Sequence, residues 1–434
     1  MIAMAAMLPA ILMAPHAGIL IWSWISYMNP HRMTWGFASG MPLLDSVAGL
    51  TILTWITSKE RKLPPLHAIS VLIIIYLLWT CLTTIFAVSG ESAVNKLTTF
   101  SKIILFTIFT MVFITTKDRL RYMIYVILLG LSLYSVRGGV FTILNGGKYI
   151  VFGPSGTFLG DNNQLALAFL TIVPLFYWVY KYGEHALIRY AAAAGGILTL
   201  ISVLGSHSRG ALVAMAAMAA WMVVIGRRWV MGIFLGVGII GGALMFMPDN
   251  WVERMTGIGD YQEDESANTR LYMWKYATNV ANSSPIIGRG YNYLFNKDLA
   301  RRYKPGNTKI FVAHSIYFDN LGEHGYVGLF LFLLLFSAAF ATTSEIRSLT
   351  KDRPEQLWAR DLAQMLQFSL VGFAIGGAFL SLSIFDLYYH ILALTMMTHF
   401  VVLQAHVPEQ TKAFSLDQLN LPGRPRAPTG LPAE

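Results

Sequence analysis

Apolar runs long enough to cross a bilayer recur along almost the whole chain, with few charges inside them. A hydrocarbon core takes roughly 20 apolar residues of helix. Inside it, each backbone N–H and C=O must be satisfied within the segment, so runs of this length are expected to be helical. About twelve segments meet that criterion. They lie near 9–28, 40–57, 67–88, 95–115, 119–144, 161–181, 187–204, 209–226, 228–247, 325–343, 360–384 and 386–405. Pro9 and Pro15 threaten to split the first, because proline removes a helical hydrogen bond and clashes with the preceding turn. The predicted fold class is therefore an all-α polytopic membrane protein. Composition agrees: of 434 residues only 13% are charged and 55% are hydrophobic, against about a quarter charged in a soluble domain.

The formal net charge is +9. In a soluble protein that excess would direct attention to nucleic acid. Here it has a topological reading, because cytoplasmic loops of membrane proteins collect Lys and Arg. With the N-terminus inside, the inner connections hold Lys59, Arg61, Lys62, Lys117, Arg119, Arg121, Lys181, Arg189, Arg227, Arg228, Arg347, Lys351, Arg353 and Arg360, and the tail adds Lys412, Arg424 and Arg426. The short outer connections hold only Arg32, Lys96, Lys148 and Arg209. Both termini are thus expected to be cytoplasmic, with membrane lipids as the surroundings and no nucleic-acid partner. The N-terminus lacks the basic start of a cleavable signal peptide and reads as an uncleaved membrane segment. Cys81, the lone cysteine, can form no internal disulfide or thiolate metal site.

Four regions follow: helices over 1–247, an outer loop over 248–324, further helices over 325–406, and a tail over 407–434. The loop opens on a turn-rich acidic stretch, Gly257 to Glu265. It continues as a helical stretch from Ser266 to Asn282, with Ser266 or Asn268 as N-cap, and stops at Pro285. A Gly288-Arg289-Gly290 turn follows, then a short helical pattern that opens near His314 and breaks near Gly325. Long loops in compact proteins are uncommon and often functional. The tail, with Pro422, Pro425, Pro428 and Pro432 and few apolar residues, reads as disordered. No repeat of 20–50 residues is visible.

Several cations defy the positive-inside bias. Lys96 and Lys102 start the fourth segment, Arg137 lies near the outer end of the fifth, and Arg209 opens the eighth within Gly205-Ser206-His207-Ser208-Arg209-Gly210. Ionisable residues in membrane helices are costly and usually functional. Cations converging near one leaflet suit a polyanion such as a diphosphate, whose oxygens match the planar fork of arginine. The bland alternative is snorkelling at helix ends, which fits Lys96 and Lys102 best. Arg270 falls in the first turn of the predicted loop helix, where a cation opposes the helix dipole unless an anion also binds. Arg289 is either a ligand for that anion or only a turn residue. Tyr272, Trp274 and Tyr276 read as packing or interfacial aromatics. His314, on a helical face with Phe318 and Leu321, is a candidate base near neutral pH or a structural histidine. There is no HExxH, no His-carboxylate cluster at ligand spacing, no Walker A and no GxGxxG. Neither a metal nor a cofactor is expected.

Ser208-Arg209-Gly210 at a helix start resembles the O-antigen ligase and polymerase superfamily when it is followed by three further motifs. These are Asn268-Thr269-Arg270 with Trp274 in a large outer loop, then Gly288-Arg289-Gly290, then Ala313-His314-Ser315. Asn29-Pro30-His31-Arg32 and the Gly156 to Gln164 stretch look like the branch of O-glycosylation ligases. The resemblance implies a GT-C-like fold of about twelve transmembrane helices with one large periplasmic loop. It also implies an inverting, metal-independent glycosyltransferase of the bacterial inner membrane with a periplasmic active site. The donor would be a glycan on undecaprenyl diphosphate and the acceptor lipid A-core, as in lipopolysaccharide biosynthesis. A second lipid-linked glycan (polymerase) or a protein hydroxyl (protein O-glycan ligase) are the alternative acceptors. Carried over by motif, Arg209 and Arg270 bind the donor diphosphate, with Arg289 and Arg137 as further candidates, and His314 is the catalytic base. A lipid-linked glycan transporter is the alternative of another class. It would favour inverted repeats and midplane sites, and neither is apparent.

Overall fold

The computed structural model describes residues 9–34, 40–58, 63–224, 247–248, 251, 265–306 and 309–406, with single positions 232, 236 and 241. The described residues form helices and turns, with no strand among them. In chain order the helices are α1 Pro15–Met28, α2 Leu43–Thr57, α3 Ala68–Ile85, α4 Gly90–Phe113, α5 Lys117–Leu144, α6 Asn162–Tyr182 and α7 Ala186–Gly205. They continue as α8 Arg209–Val224, α9 Glu265–Ser283, α10 Lys297–Tyr303, α11 Ile316–Leu349, α12 Leu357–Gly377 and α13 Asp386–His406.

Seven helices among the described residues are long and apolar enough to cross a membrane: α3, α4, α5, α6, α7, α11 and α13. The protein is therefore a polytopic helical membrane protein. The twelve expected spans are not all matched by such helices. α1, α2 and α8 are shorter, at 14, 15 and 16 residues. The first segment breaks at Ala14, and Pro15 restarts it at a position where a missing N–H costs nothing. α12 has the length but carries Arg360, Asp361, Gln364 and Gln367, and most of its residues are buried among other helices. The expected span 228–247 and the tail 407–434 lie outside the described residues, apart from isolated positions of the former.

α13 is mostly buried and packs against α4, α11 and α12, while α6 lies between α7 and α12. Contact between α5 and α7 depends on small residues. A Cβ on Gly139 would sit 2.2 Å from the Leu198 carbonyl oxygen, so only glycine lets the two backbones approach this closely.

Among the described residues, the cationic connections before α5, after α6 and before α12 meet at one end of the bundle, while Lys59, Arg61, Lys62, Arg227 and Arg228 lie outside the described residues. Lys181 pairs with Asp361 at 2.5 Å, Arg121 reaches Glu184 at 2.9 Å, and the Lys117 ammonium lies 5.1 Å from the Trp358 ring centroid. The ends of α1, α4, α6, α8 and α11 that carry the candidate site gather at the other end. There Ser26 donates to Asp386 at 2.5 Å, Asn162 donates to the Ser206 carbonyl at 2.7 Å, and Lys96 donates to Glu323 at 2.6 Å.

At that second end, residues 265–306 and 309–315 build a helical cap with its own apolar core of Met273, Tyr276, Ala277, Val280, Tyr293, Leu299 and Ala313. α9 of the cap lies on α11. The Gly288-Arg289-Gly290 turn latches this cap to the bundle. The Arg289 and Gly290 amides donate to the Gly322 and Glu323 carbonyls at 3.0 and 2.8 Å, and the Val88 amide donates to the Arg289 carbonyl at 3.1 Å. Gly290 sits at φ +76°, and a Cβ there would lie 2.3 Å from that of Ala87. Both conformation and space therefore require glycine. α11 breaks at Gly325, φ +71°, where the sequence pattern places the end of a short helix and the start of a span. One Glu323 oxygen takes both the Lys96 ammonium at 2.6 Å and the Asn292 amide at 3.1 Å, with the two charged side chains 21% and 6% exposed.

Removing one partner of a buried pair leaves the other charge uncompensated, at about 3–5 kcal/mol. Glu323→Leu should therefore lower the thermal unfolding temperature of the detergent-purified protein. The double variant Lys96→Met/Glu323→Leu should recover part of the loss, which a thermal-shift series checks.

Candidate functional site

His314 occupies the last turn of chain before α11, between Ala313 and the cap residue Ser315. Its φ is +48°, a left-handed conformation uncommon for a residue with a Cβ. Two flanking interactions hold it there. The His314 amide donates to Ser381 Oγ at 3.0 Å, and the Ser381 hydroxyl donates in turn to Asp319 Oδ1 at 3.2 Å. A hydroxyl can accept and donate at once, so Ser381 relays between the histidine backbone and a buried carboxyl group. On the other flank, Trp274 Nε1 donates to the Ala313 carbonyl at 2.9 Å, and its ring stacks on Phe318 with centroids 4.9 Å apart. The cap therefore supplies one support of the histidine and the bundle supplies the other.

Burial holds the His314 imidazole below its usual value of 6.5. The Arg270 guanidinium pushes it the same way and the Asp161 carboxylate opposes it. Arg270 from the cap and Asp161 from the start of α6 are thus both within electrostatic reach. Asp161 caps α6, accepting from the Asn163 amide at 2.9 Å. The adjacent Asn162 side chain donates to the Ser206 carbonyl at 2.7 Å and so ties this cap to the turn before α8. Ser208 accepts from the Ala211 amide at 3.2 Å, and Arg209 is the first residue of the helix. A Cβ on Gly210 would lie 3.4 Å from that of Phe379, whose ring centroid is 6.5 Å from that of Trp274. Arg209, Arg270, Asp161 and His314 thus come from four separate stretches, of which Arg270 and Asp161 act on the imidazole and the turn before Arg209 is tied to Asn162 beside Asp161.

Other sequence candidates lie elsewhere. Arg137 is exposed and lines a separate cavity of about 390 Å³ with Tyr134, Phe141 and residues 150–154. Arg289 serves the cap latch: its guanidinium donates to Ser283 Oγ at 3.2 Å and interacts with the Tyr303 hydroxyl. Lys96 belongs to Glu323, and Lys102 pairs with Asp45 at 2.6 Å.

Two local expectations need correction. The described part of α9 begins at Glu265, so Arg270 lies in its second turn, beyond the reach of the helix-end dipole. His314 precedes its helix in a left-handed conformation, so it shares no helical face with Phe318 and Leu321. Of the three loop aromatics, Tyr276 packs in the cap core, while Trp274 also fixes the backbone beside His314. The sequence reading missed Asp161, Ser381 and Asp319. Asp161 had a legible local signal, an Asp before an apolar run, which marks an N-cap. Ser381 had none.

His314 should titrate below 6.5. Removing a nearby cation makes protonation easier, so Arg270→Gln should raise the midpoint. Removing the carboxylate does the reverse, so Asp161→Asn should lower it. Diethylpyrocarbonate acylates only the neutral imidazole. The pH dependence of His314 modification, followed by peptide mass spectrometry, reads both shifts.

Residues 194–333 match the family described as O-antigen ligase, and residues 1–184 match a family of unknown function (DUF5935). Arg209, Arg270, Arg289 and His314 all fall in the first match, and Arg137 in the second. The chain is also similar to the exopolysaccharide production protein ExoQ of Rhizobium meliloti (strain 1021), at 23% identity over 290 residues. That match covers 63% of this chain and 60% of the relative's length. The ligase match spans the His314 turn, the cap and the start of α8, so it is this part of the chain that is similar to the O-antigen ligase family.

Proposed function

We propose that the protein is an inverting glycosyltransferase of the O-antigen ligase type, acting at the end of the bundle that carries His314. The donor is a glycan on undecaprenyl diphosphate and the acceptor is lipid A-core. The observation that carries this reading is the meeting of His314 and Arg270, both in the ligase-matched stretch, with Asp161 from the 1–184 stretch. In this mechanism His314 takes the proton from the acceptor hydroxyl. The hydroxyl oxygen bonds to the anomeric carbon of the donor as the bond from that carbon to the diphosphate oxygen breaks. The leaving diphosphate carries the electron pair away, and the guanidinium groups of Arg270 and Arg209 stabilise its charge. A depressed imidazole pKa keeps the base neutral and ready to accept near pH 7. No nucleotide is consumed, because the diphosphate linkage supplies the driving force. The site end faces the periplasm and the cationic end the cytoplasm, in line with the positive-inside rule.

A second reading keeps the donor and changes the acceptor to another lipid-linked glycan, giving a polymerase. Similarity to an exopolysaccharide production protein favours it.

The test is glycan transfer by purified protein with an undecaprenyl-diphosphate glycan and lipid A-core, in the presence of EDTA. Wild type should form the conjugate. His314→Ala should lose about 10²–10⁴-fold in kcat, the usual contribution of a general base. Arg270→Ala and Arg209→Ala should lose about 10²-fold or more, as for other electrostatic stabilisers of a leaving charge. Product only with a second lipid-linked glycan would select the polymerase. No transfer to either acceptor, nor to protein hydroxyls, would sink the enzyme reading in favour of transport.

A further inference from the structure

A second cavity opens at the His314 end of the bundle, outside the charged set just described. It has a volume of about 520 Å³ and lies among α1, α2, α4, the loop before α6 and the start of α13. Small-molecule sites usually measure about 300–1,000 Å³. Its walls differ in kind from the arginine site. Trp22 and Phe158 contribute aromatic surface, while Ser26, Asp45, Lys102 and Asp386 contribute polar groups. Trp22 is braced by Phe106, stacked at 4.2 Å, and the half-open Phe158 ring lies 6.3 Å from Phe385.

Charge decides what such a cavity can take. Lys102 is already paired with Asp45 at 2.6 Å. Asp386, only 4% exposed, accepts from Ser26 at 2.5 Å. It also accepts from its own and the Leu387 backbone amides, and because a carboxylate has about four lone-pair sites, about one acceptor position is left for the cavity it lines. With two carboxyl groups against one ammonium and the His31 imidazole, the lining offers a diphosphate no arginine fork. It suits a ligand that donates hydroxyl hydrogens to carboxylates and lays apolar ring faces on aromatic side chains. A saccharide unit has both features.

Position connects this cavity to the reaction. The chain from Phe158 to Asp161 runs from the cavity wall to the carboxylate that acts on His314. The turn from Ser381 to Asp386 likewise runs from the hydroxyl beneath the His314 amide to the cavity floor. Apart from Asp386, the lining residues fall within residues 1–184, outside the ligase-matched stretch.

We propose that this cavity is the saccharide subsite for the acceptor, holding a sugar of the acceptor glycan while its neighbouring hydroxyl reaches His314. The assignment rests on the transferase reading. It makes the 1–184 half the part that selects the acceptor, while the ligase-matched part handles the donor diphosphate.

Gly49 offers a clean test, because it lines the cavity and a Cβ there meets nothing within 4 Å. Gly49→Phe should fill the space without forcing the helices apart. Phe158→Ala, in a loop, removes one aromatic wall instead. In the first arm, lipid-free core oligosaccharide is titrated into full-length protein in nanodiscs and binding is read by saturation-transfer NMR. Wild type should bind, Gly49→Phe should not, and Phe158→Ala should bind about tenfold more weakly, a typical loss for a buried aromatic anchor. In the second arm, steady-state transfer should show the acceptor KM rising by about tenfold in either variant, with the donor KM unchanged. Wild-type binding that survives Gly49→Phe, or no wild-type binding, overturns the subsite. A shift in donor KM alone would also overturn it, by assigning the cavity to the donor glycan. If wild type binds saccharide in the first arm and loses it with Gly49→Phe, yet transfers nothing in the second, the transferase reading fails and with it the acceptor role, while the cavity stands as a saccharide-binding site.

Discussion

Glu323 sits 5% exposed at the break between the two halves of α11, and the arrangement of the site depends on how it is satisfied. It takes the Lys96 ammonium from α4 and the Asn292 amide from the cap on one oxygen, and its carbonyl takes the Gly290 amide. Desolvating such a pair is unfavourable and is offset only when the partners and the extra hydrogen bonds are all present. The Lys96 ammonium compensates the charge within the bundle, and the Asn292 amide adds its hydrogen bond to the same oxygen only when the cap is docked. The docking in turn brings Trp274 and Arg270, which belong to the cap, to a histidine whose other support, Ser381, belongs to the bundle.

The left-handed backbone of His314 fits the same scheme. A residue with a Cβ held there costs on the order of 1–3 kcal/mol and persists when its surroundings over-determine it. Here the amide is bound to Ser381, the preceding carbonyl to Trp274, and the following residue begins α11. A side chain held through its own backbone needs little reorganisation when a ligand arrives. Its electrostatic surroundings divide, with a guanidinium from the cap and a carboxylate from the bundle acting in opposite directions on the imidazole. The same division suits a reaction in which an anionic leaving group departs and a neutral hydroxyl gives up a proton.

Much of the architecture was legible locally. Long apolar runs specified membrane helices because backbone groups have no other partner in hydrocarbon. The break at Gly325 and the stop after Ser283 were readable from glycine and proline. Which described segments form long apolar spans was not, because the run from Leu357 to Gly377 carries Arg360 and Asp361 and the first segment restarts at Pro15. Arg289 illustrates the limit most clearly. Between two glycines it has the same local signal whether it binds an anion or closes a turn, and its bonds to Ser283 separate those readings only in three dimensions.

By itself the sequence determined the solvent, the helical class, the sidedness bias and the short list containing Arg209, Arg270 and His314, since hydropathy, charge bias and local motifs depend on residues near one another in the chain. Tertiary structure alone decided which cations share the histidine's surroundings. It set Arg137 on another cavity, bonded Arg289 to Ser283, and brought in Asp161 and Ser381, the latter 67 residues beyond the amide it holds. Electrostatic and hydrogen-bond forces act over a few ångströms of space irrespective of chain separation, and only packing of the helices sets those distances.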